Sequence, residues 1–196
     1  LAVAATAPAA ANAPTKNLAA YDAYLRGRAA QTSGWSESGS AETVRLYEQA
    51  VRLDPDYALA WARLAETQVW IRSSGYDRRE GVAARARGAA AAAQRLAPNL
   101  PEAHLAQALG AVMDFDLEAA RRALDRVEQL RPNDPDVPAV RARIERTSRN
   151  RGETLVALAH RAVDADPQNA DTLVLMAGYL TDCGRYAEAE AFCDRA

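Results

Sequence analysis

A short phrase built on proline recurs four times along this chain and constrains its fold more than any other feature. Each copy follows a stretch rich in alanine, arginine and leucine. The four copies are Leu53-Asp54-Pro55-Asp56, Leu96-Ala97-Pro98-Asn99, Leu130-Arg131-Pro132-Asn133 and Ala165-Asp166-Pro167-Gln168. Proline lacks a backbone N–H and clashes with the preceding helical turn, and it disfavours the α conformation in the residue before it. Each phrase therefore predicts the end of a helix.

The spacing of these prolines indicates a repeat. Successive prolines of the phrase lie 43, 34 and 35 residues apart. A near-constant period in this range is typical of arrays built from helix pairs. The longer first interval predicts an insertion at residues 72–81. No stretch alternates apolar and polar residues as a strand does, so the pattern predicts an all-α chain.

Further patterns recur between the prolines. First-helix patterns are Trp61-x-x-Leu64-Ala65-x-x-Gln68 and Leu173-x-x-Met176-Ala177-x-x-Leu180, and second-helix patterns are Thr43-x-x-x-Tyr47 and Ala120-x-x-x-Leu124. Gly184 suits a left-handed residue in the turn between two helices. Together these patterns resemble the tetratricopeptide repeat family. The resemblance implies a right-handed α-solenoid of antiparallel helix pairs whose first helices line a concave face.

We expect the following organisation. Residues 1–16 form an alanine- and proline-rich linker or the start of a fragment. Residues 17–196 form about five helix pairs, the last one truncated, at approximately 17–55, 56–98, 99–132, 133–167 and 168–196. Ser40 is the expected N-cap of the second helix. Trp61 is expected to be buried between helices.

The first pair carries a second resemblance. Asn17-Leu18-x-Ala20-Tyr21-x-x-Tyr24-Leu25-Arg26-Gly27, followed by the segment from Tyr47 to Ala58, resembles the C-terminal repeat region of certain bacterial signalling proteins. In those proteins a kinase, nucleotide cyclase or winged-helix domain precedes the repeats. The resemblance implies a regulatory segment, with a periplasmic location favoured and a cytoplasmic one as the alternative.

Composition and motifs argue against several functions. The formal net charge of −2 favours no nucleic-acid partner, and no run of eighteen apolar residues predicts membrane insertion. His104, His160, Cys183 and Cys193 lack the spacing of metal ligands, so we expect no metal and no cofactor. No constellation of catalytic residues is recognisable, which predicts a protein that is not an enzyme.

The remaining candidate is a binding surface for a protein or peptide, because solenoids use their concave face for partners. Helical spacing predicts an apolar end and an arginine-bearing end for this groove, formed by Leu59, Glu66, Trp70, Leu105, Leu109, Met113, Arg143 and Arg146. One alternative is that the insertion, with Tyr76, covers the apolar end. Another is a structural spacer or a module that self-associates through its uncapped C-terminal end.

Overall fold

The computed structural model describes residues 15–32, 37–77, 81–150 and 152–196, and within them it contains α-helices and no β-strand. The predicted all-α fold is therefore confirmed. The helices are α1 (Leu18–Thr32), α2 (Glu37–Leu53), α3 (Ala58–Ser74), α4 (Val82–Leu96), α5 (Pro101–Met113), α6 (Leu117–Leu130), α7 (Val137–Thr147), α8 (Glu153–Ala165), α9 (Ala170–Asp182) and α10 (Tyr186–Cys193). The linker expected at residues 1–16 lies almost entirely outside the described residues.

The proline phrases end helices as predicted. The even-numbered helices α2, α4, α6 and α8 all stop at the first residue of a phrase. The residues before three of the prolines, Ala97, Arg131 and Asp166, have φ angles of −140°, −139° and −142°. This extended conformation is the one that a following proline requires, because its ring excludes the α region for the preceding residue.

The turns inside the last four helix pairs share a backbone conformation. In the last four pairs, a residue soon after the first helix is in the left-handed conformation: Gly75 (φ 78°), Phe115 (φ 61°), Arg149 (φ 60°) and Gly184 (φ 76°); Gly81 (φ 96°), just before α4, is a further one. In the four turns, the N–H of the residue that follows the left-handed one bonds to a carbonyl five positions earlier, as in Asp116 to Ala111 at 2.9 Å. These bonds satisfy carbonyls that the helix end leaves unpaired. The left-handed role predicted for Gly184 is confirmed.

Helix packing defines the inside of the array. Each helix packs on the next one along the chain, and α3, α5, α7 and α9, the first helices of their pairs, also pack on one another in that order. Within the described part of the chain, the second helices form no comparable interfaces with each other. Because first helices of neighbouring pairs pack on one another and second helices do not, the first helices lie on the inner side of the curved solenoid. We call this side the concave face.

Small side chains allow this close approach. Ala62, Ala93 and Ala103, from α3, α4 and α5, form one fully buried cluster. Larger residues fill the rest of the core, with Leu124, Leu155, Leu173 and Met176 each at 0% exposure. Leu124 and Leu173 are among the residues that carry the repeat patterns, so the patterns mark core positions.

Some sequence-based expectations need correction. α2 begins at Glu37, so Ser40 lies inside the helix and is not its N-cap. A glycine inside a helix costs only about 1 kcal/mol relative to alanine, so Gly39 does not prevent the earlier start. Trp61 is only partly buried; its indole N–H donates to the Pro55 carbonyl at 2.8 Å. An indole keeps its N–H near a polar edge, which limits its burial.

Candidate partner-binding face

The eight residues predicted to form a groove lie on α3, α5 and α7, the central first helices of the concave face. Seven of them, Leu59, Glu66, Trp70, Leu109, Met113, Arg143 and Arg146, keep some exposure. Leu105 does not. It is 2% exposed and belongs to the core cluster that also contains Val137 and Val140 of α7. Close packing of α7 on α5 thus turns this position from the groove into the core.

The apolar end of the predicted groove is partly covered. The ring of Tyr76, from the insertion after α3, lies with its centroid 5.4 Å from the ring of Trp70. The two planes are inclined at 42°, a geometry in which aromatic pairs attract each other. This contact favours the alternative in which the insertion shields the apolar positions of α3.

An ion pair occupies the concave face beside these residues. Arg63 Nη1 lies 2.7 Å from Glu66 Oε2, and the two side chains are 24% and 11% exposed. Next to them Glu102, at the start of α5, accepts a hydrogen bond from Arg131 Nη2 at 2.7 Å. Arg131 also donates to Asp134, whose side chain is fully buried. Charged groups at this depth are held by pairing, since burial of a lone charge is costly.

The pairing is incomplete. Among the described residues, Arg63 Nε, Glu66 Oε1 and Glu102 Oε2 have no hydrogen-bond partner although they are buried. Burial raises the pKa of Glu66 to about 7, while Arg63 opposes this effect and Asp136 adds to it. Burial favours the neutral acid because it removes water from the charged form. Glu66 therefore changes its charge near neutral pH.

The face is open at its other end, along α7 and α9. Val174 is 57% exposed, and a Cβ atom added at Gly178 would meet no atom within 4 Å. Within the described part of the chain no carboxylate lies at salt-bridge distance from Arg143. This end combines an apolar side chain, free space above a helix and an available guanidinium.

The second predicted arginine is held by the protein itself. Arg146 Nε donates to Asp182 Oδ2 at 2.6 Å, and its guanidinium lies 5.0 Å from the centroid of the Tyr179 ring. These contacts fix Arg146 between α7 and α9. Of the two arginines expected to meet an acidic partner, Arg143 is therefore the one whose guanidinium no carboxylate of the described residues engages.

Both histidines make contacts within the protein. His104 is 7% exposed, with Nε2 2.8 Å from the Pro98 carbonyl. His160 Nε2 lies 2.6 Å from Glu188 Oε2, and its ring packs edge-on against Phe192. Cys183 is half-buried and Cys193 is exposed. Across the described ranges, no three histidine, cysteine or carboxylate side chains are grouped so that they could hold a metal ion.

None of the helices in the described part of the chain is both long enough and apolar enough to cross a membrane.

Arg63 was not among the residues predicted to form the groove. A signal was available, because Arg63 and Glu66 are three positions apart on one helix and such residues are neighbours on its surface. What the spacing could not reveal is that this pair is buried on the concave side and that Glu102 and Asp136 lie within electrostatic range of it.

Comparison with solved structures gives matches over most of the chain. TTC0263, a thermophilic TPR protein of Thermus thermophilus, superimposes with a TM-score of 0.69 and 17% identity, over 89% of this chain and 88% of that protein. MamA 41-end from Desulfovibrio magneticus RS-1 gives a TM-score of 0.50 and 14% identity, over 90% of this chain and 92% of that one.

The sequence alone gives no such match. No protein-family model matches it, and no curated protein does. The fold evidence therefore comes from the helices of the described residues, their pairwise stacking and the structural likeness to TTC0263. The chain is an α-solenoid of helix pairs with the fold of a tetratricopeptide repeat protein.

Proposed function

We propose that this chain is a protein-interaction scaffold that binds a peptide or a protein segment on its concave face. The observation that supports the proposal best is the open end along α7 and α9. There Val174 is exposed, Gly178 leaves space, and Arg143 has no counter-ion among the described residues. Solenoids present such inner surfaces to extended partners.

The chemistry of this end favours an acidic partner. A guanidinium binds a carboxylate through charge-assisted hydrogen bonds, which are among the stronger polar contacts in interfaces. Val174, on the neighbouring first helix α9, offers an exposed apolar side chain. We therefore propose a segment that carries an Asp, a Glu or its own terminal carboxylate next to an apolar residue. Met113 remains a proposed anchor toward the middle of the face, and Trp70, packed on Tyr76, a proposed anchor at the far end.

We also propose, from the resemblance of its first pair, that the chain serves as a regulatory segment of a bacterial signalling protein. The concave face would then receive the controlling partner. A structural spacer with no peptide ligand is the competing function, and the experiment below separates the two.

The test is a selection of displayed random peptides on the purified chain. Peptides enriched on wild type should carry an acidic residue beside an apolar one. Gly178→Trp should abolish their binding because the indole fills the open space. Gly88→Trp is the matched control, since a Cβ at Gly88 also meets nothing within 4 Å, but Gly88 lies on the second helix α4.

Charge reversal provides an independent arm. Arg143→Glu should weaken binding at least about tenfold, as expected when a charge-assisted bond is lost and repulsion replaces it. Arg122→Glu, on the exposed side of α6, should leave binding unchanged. Enrichment of no peptide, or of peptides that bind Gly178→Trp as well as wild type, would favour the spacer.

A further inference from the structure

A cleft between α2, α3 and α4 adjoins the apolar end of the concave face, with which it shares Tyr76. Its volume is about 890 Å³, and it is lined by residues of α2, the C-terminal part of α3, Tyr76, Asp77 and the start of α4. Ligand pockets in proteins range from about 300 to 1,000 Å³. The cleft lies where the insertion interrupts the repeat, and α2 and α4, as far as the structure describes them, form no interface that would close it.

Apolar side chains make up much of the wall. They are Val44, Ile71, Tyr76 and Val82. Ile71 and Val82 are 7% and 2% exposed, whereas the Tyr76 ring is 40% exposed. A wall of this kind offers an apolar ligand a surface that is already shielded from water on one side.

Two of the residues that line the cleft carry buried polar atoms with unmet hydrogen bonds. Ser40 is 1% exposed and Gln68 is 4% exposed. Among the described residues, neither Ser40 Oγ nor Gln68 Oε1 has a hydrogen-bond partner. Other hydroxyls on the same helices are satisfied: Thr43 donates to the Gly39 carbonyl at 2.9 Å and Thr67 to the Arg63 carbonyl at 2.8 Å.

Such exceptions need a physical reason, because buried polar atoms in proteins are nearly always bonded. The amide oxygen of Gln68 can only accept, so its missing partner must be an N–H or O–H donor. The Ser40 hydroxyl can donate or accept. A donor group on a bound molecule would supply what Gln68 lacks.

The charges at the rim leave one cation available among the described residues. Arg45 is 2.6 Å from Glu42, and Glu48 is 3.8 Å from Arg52, so these two lining residues already have counter-ions. Asp77 is not free either. Within the described part of the chain, Arg85 on α4 has no carboxylate at salt-bridge distance. Its guanidinium therefore suits an anionic group at the mouth of the cleft.

We propose that this cleft binds a small organic carboxylate with an apolar body and an amide N–H, of the N-acyl amino acid type. Arg85 receives the carboxylate, the apolar wall receives the body, and Gln68 accepts the N–H. A neutral amide fits this position better than an ammonium group, because the acceptor is uncharged and buried and a desolvated cation would need stronger compensation. This site does not depend on the function proposed for the concave face.

The experiment is calorimetric titration of the whole chain with N-benzoyl-L-phenylalanine and two relatives. N-benzoyl-N-methyl-L-phenylalanine has a methyl group in place of the N–H hydrogen, and N-benzoyl-L-phenylalaninamide has a neutral carboxamide in place of the carboxylate. We expect the parent compound to bind and each relative to bind at least about tenfold more weakly, as the loss of one good polar contact to a buried or charged group requires.

Two variants assign the contacts. Arg85→Gln should remove the preference for the carboxylate, and Gln68→Leu should remove the preference for the N–H, so that the parent and the N-methyl compound bind this variant equally. Arg87→Gln, on the same helix and outside the cleft, is the matched control and should behave as wild type. Circular dichroism of each variant verifies that the helices are retained.

Three outcomes would overturn the proposal. One is the absence of binding by the parent compound at millimolar concentration. Another is equal binding of all three compounds to the wild-type chain. The third is equal discrimination by wild type and by the Arg85 and Gln68 variants, which would place any binding elsewhere on the chain.

Discussion

The Arg63 guanidinium meets the Glu66 carboxylate at 2.7 Å on the concave side of α3, where both side chains are largely removed from water. One atom of each, Arg63 Nε and Glu66 Oε1, has no bonding partner among the described residues. The pair is therefore buried and only partly satisfied. Its protonation should influence both stability and the properties of the inner surface.

Stability should fall as the pH rises through the titration of Glu66. The pKa of this carboxyl is about 7 in the folded chain against an ordinary value of 4.5, because burial penalises the charged form. Between these values the folded chain holds a proton that the unfolded chain has lost, so the free energy of unfolding decreases with increasing pH. Each unit of separation corresponds to roughly 1.4 kcal/mol.

Glu66→Gln tests this dependence. Urea unfolding of wild type should show decreasing stability from about pH 4.5 to about pH 7 and a plateau above, and the variant should lose that part of the slope. Glu118→Gln, at a side chain that is 74% exposed, serves as the control and should retain the slope. Identical pH profiles for wild type and Glu66→Gln would contradict the assignment.

Replacement by alanine should change the free energy of unfolding in opposite directions at two glycines. A Cβ at Gly27 would lie 2.7 Å from Cε1 of Tyr47, a buried ring whose hydroxyl donates to Gln31. Gly27→Ala should therefore destabilise by about 1–3 kcal/mol, as overpacking does. Gly88→Ala should stabilise by about 0.5–1 kcal/mol, because nothing lies near the new methyl and alanine is the better helix former. Chemical denaturation measures both, and equal signs would contradict the α1–α2 packing.

Two leucines on α9 test which side of this helix faces the core. Leu173 is 0% exposed and Leu175 is 40% exposed. Leu173→Ala should cost about 2–5 kcal/mol because it leaves a cavity, whereas Leu175→Ala should cost less than about 1 kcal/mol. The comparison needs only the midpoints and slopes of urea unfolding. Similar losses for the two variants would mean that α9 is rotated about its axis relative to the structure described above.

The left-handed turn residues offer a gain in stability. Phe115 has a φ of 61° and is 77% exposed, so it bears the cost of a left-handed conformation without a compensating burial. That cost is about 1–2 kcal/mol for a residue with a side chain, and glycine avoids it at an entropic cost of about 0.5–1 kcal/mol. Phe115→Gly should therefore raise the melting temperature slightly.

The reciprocal change checks the same reasoning. Gly184→Ala should lower stability by about 1 kcal/mol, since Gly184 has a φ of 76° in the equivalent turn. Phe115→Ala separates strain from side-chain loss and should differ little from wild type. If Phe115→Gly were no more stable than Phe115→Ala, relief of backbone strain would not be the source of the gain.

Local features of this chain could be predicted from the sequence because their causes are local. Proline at 98, 132 and 167 ends α4, α6 and α8 through its own ring and through its effect on the residue before it. Gly184 provides a left-handed conformation through its missing Cβ. The repeat period, and with it the pairing of helices, follows from the spacing of such signals along the chain.

Only the tertiary structure decided which side chains are buried and which charged groups pair with each other, because both depend on residues that are distant in sequence. Leu105 has the helical position of a groove residue, yet the approach of α7 places it in the core. Arg146 is held by Asp182, 36 residues away, while Arg143 is not. The cleft at Ser40 and Gln68 arises where an insertion separates neighbouring pairs, and the arrangement of that gap depends on how three helices pack around it.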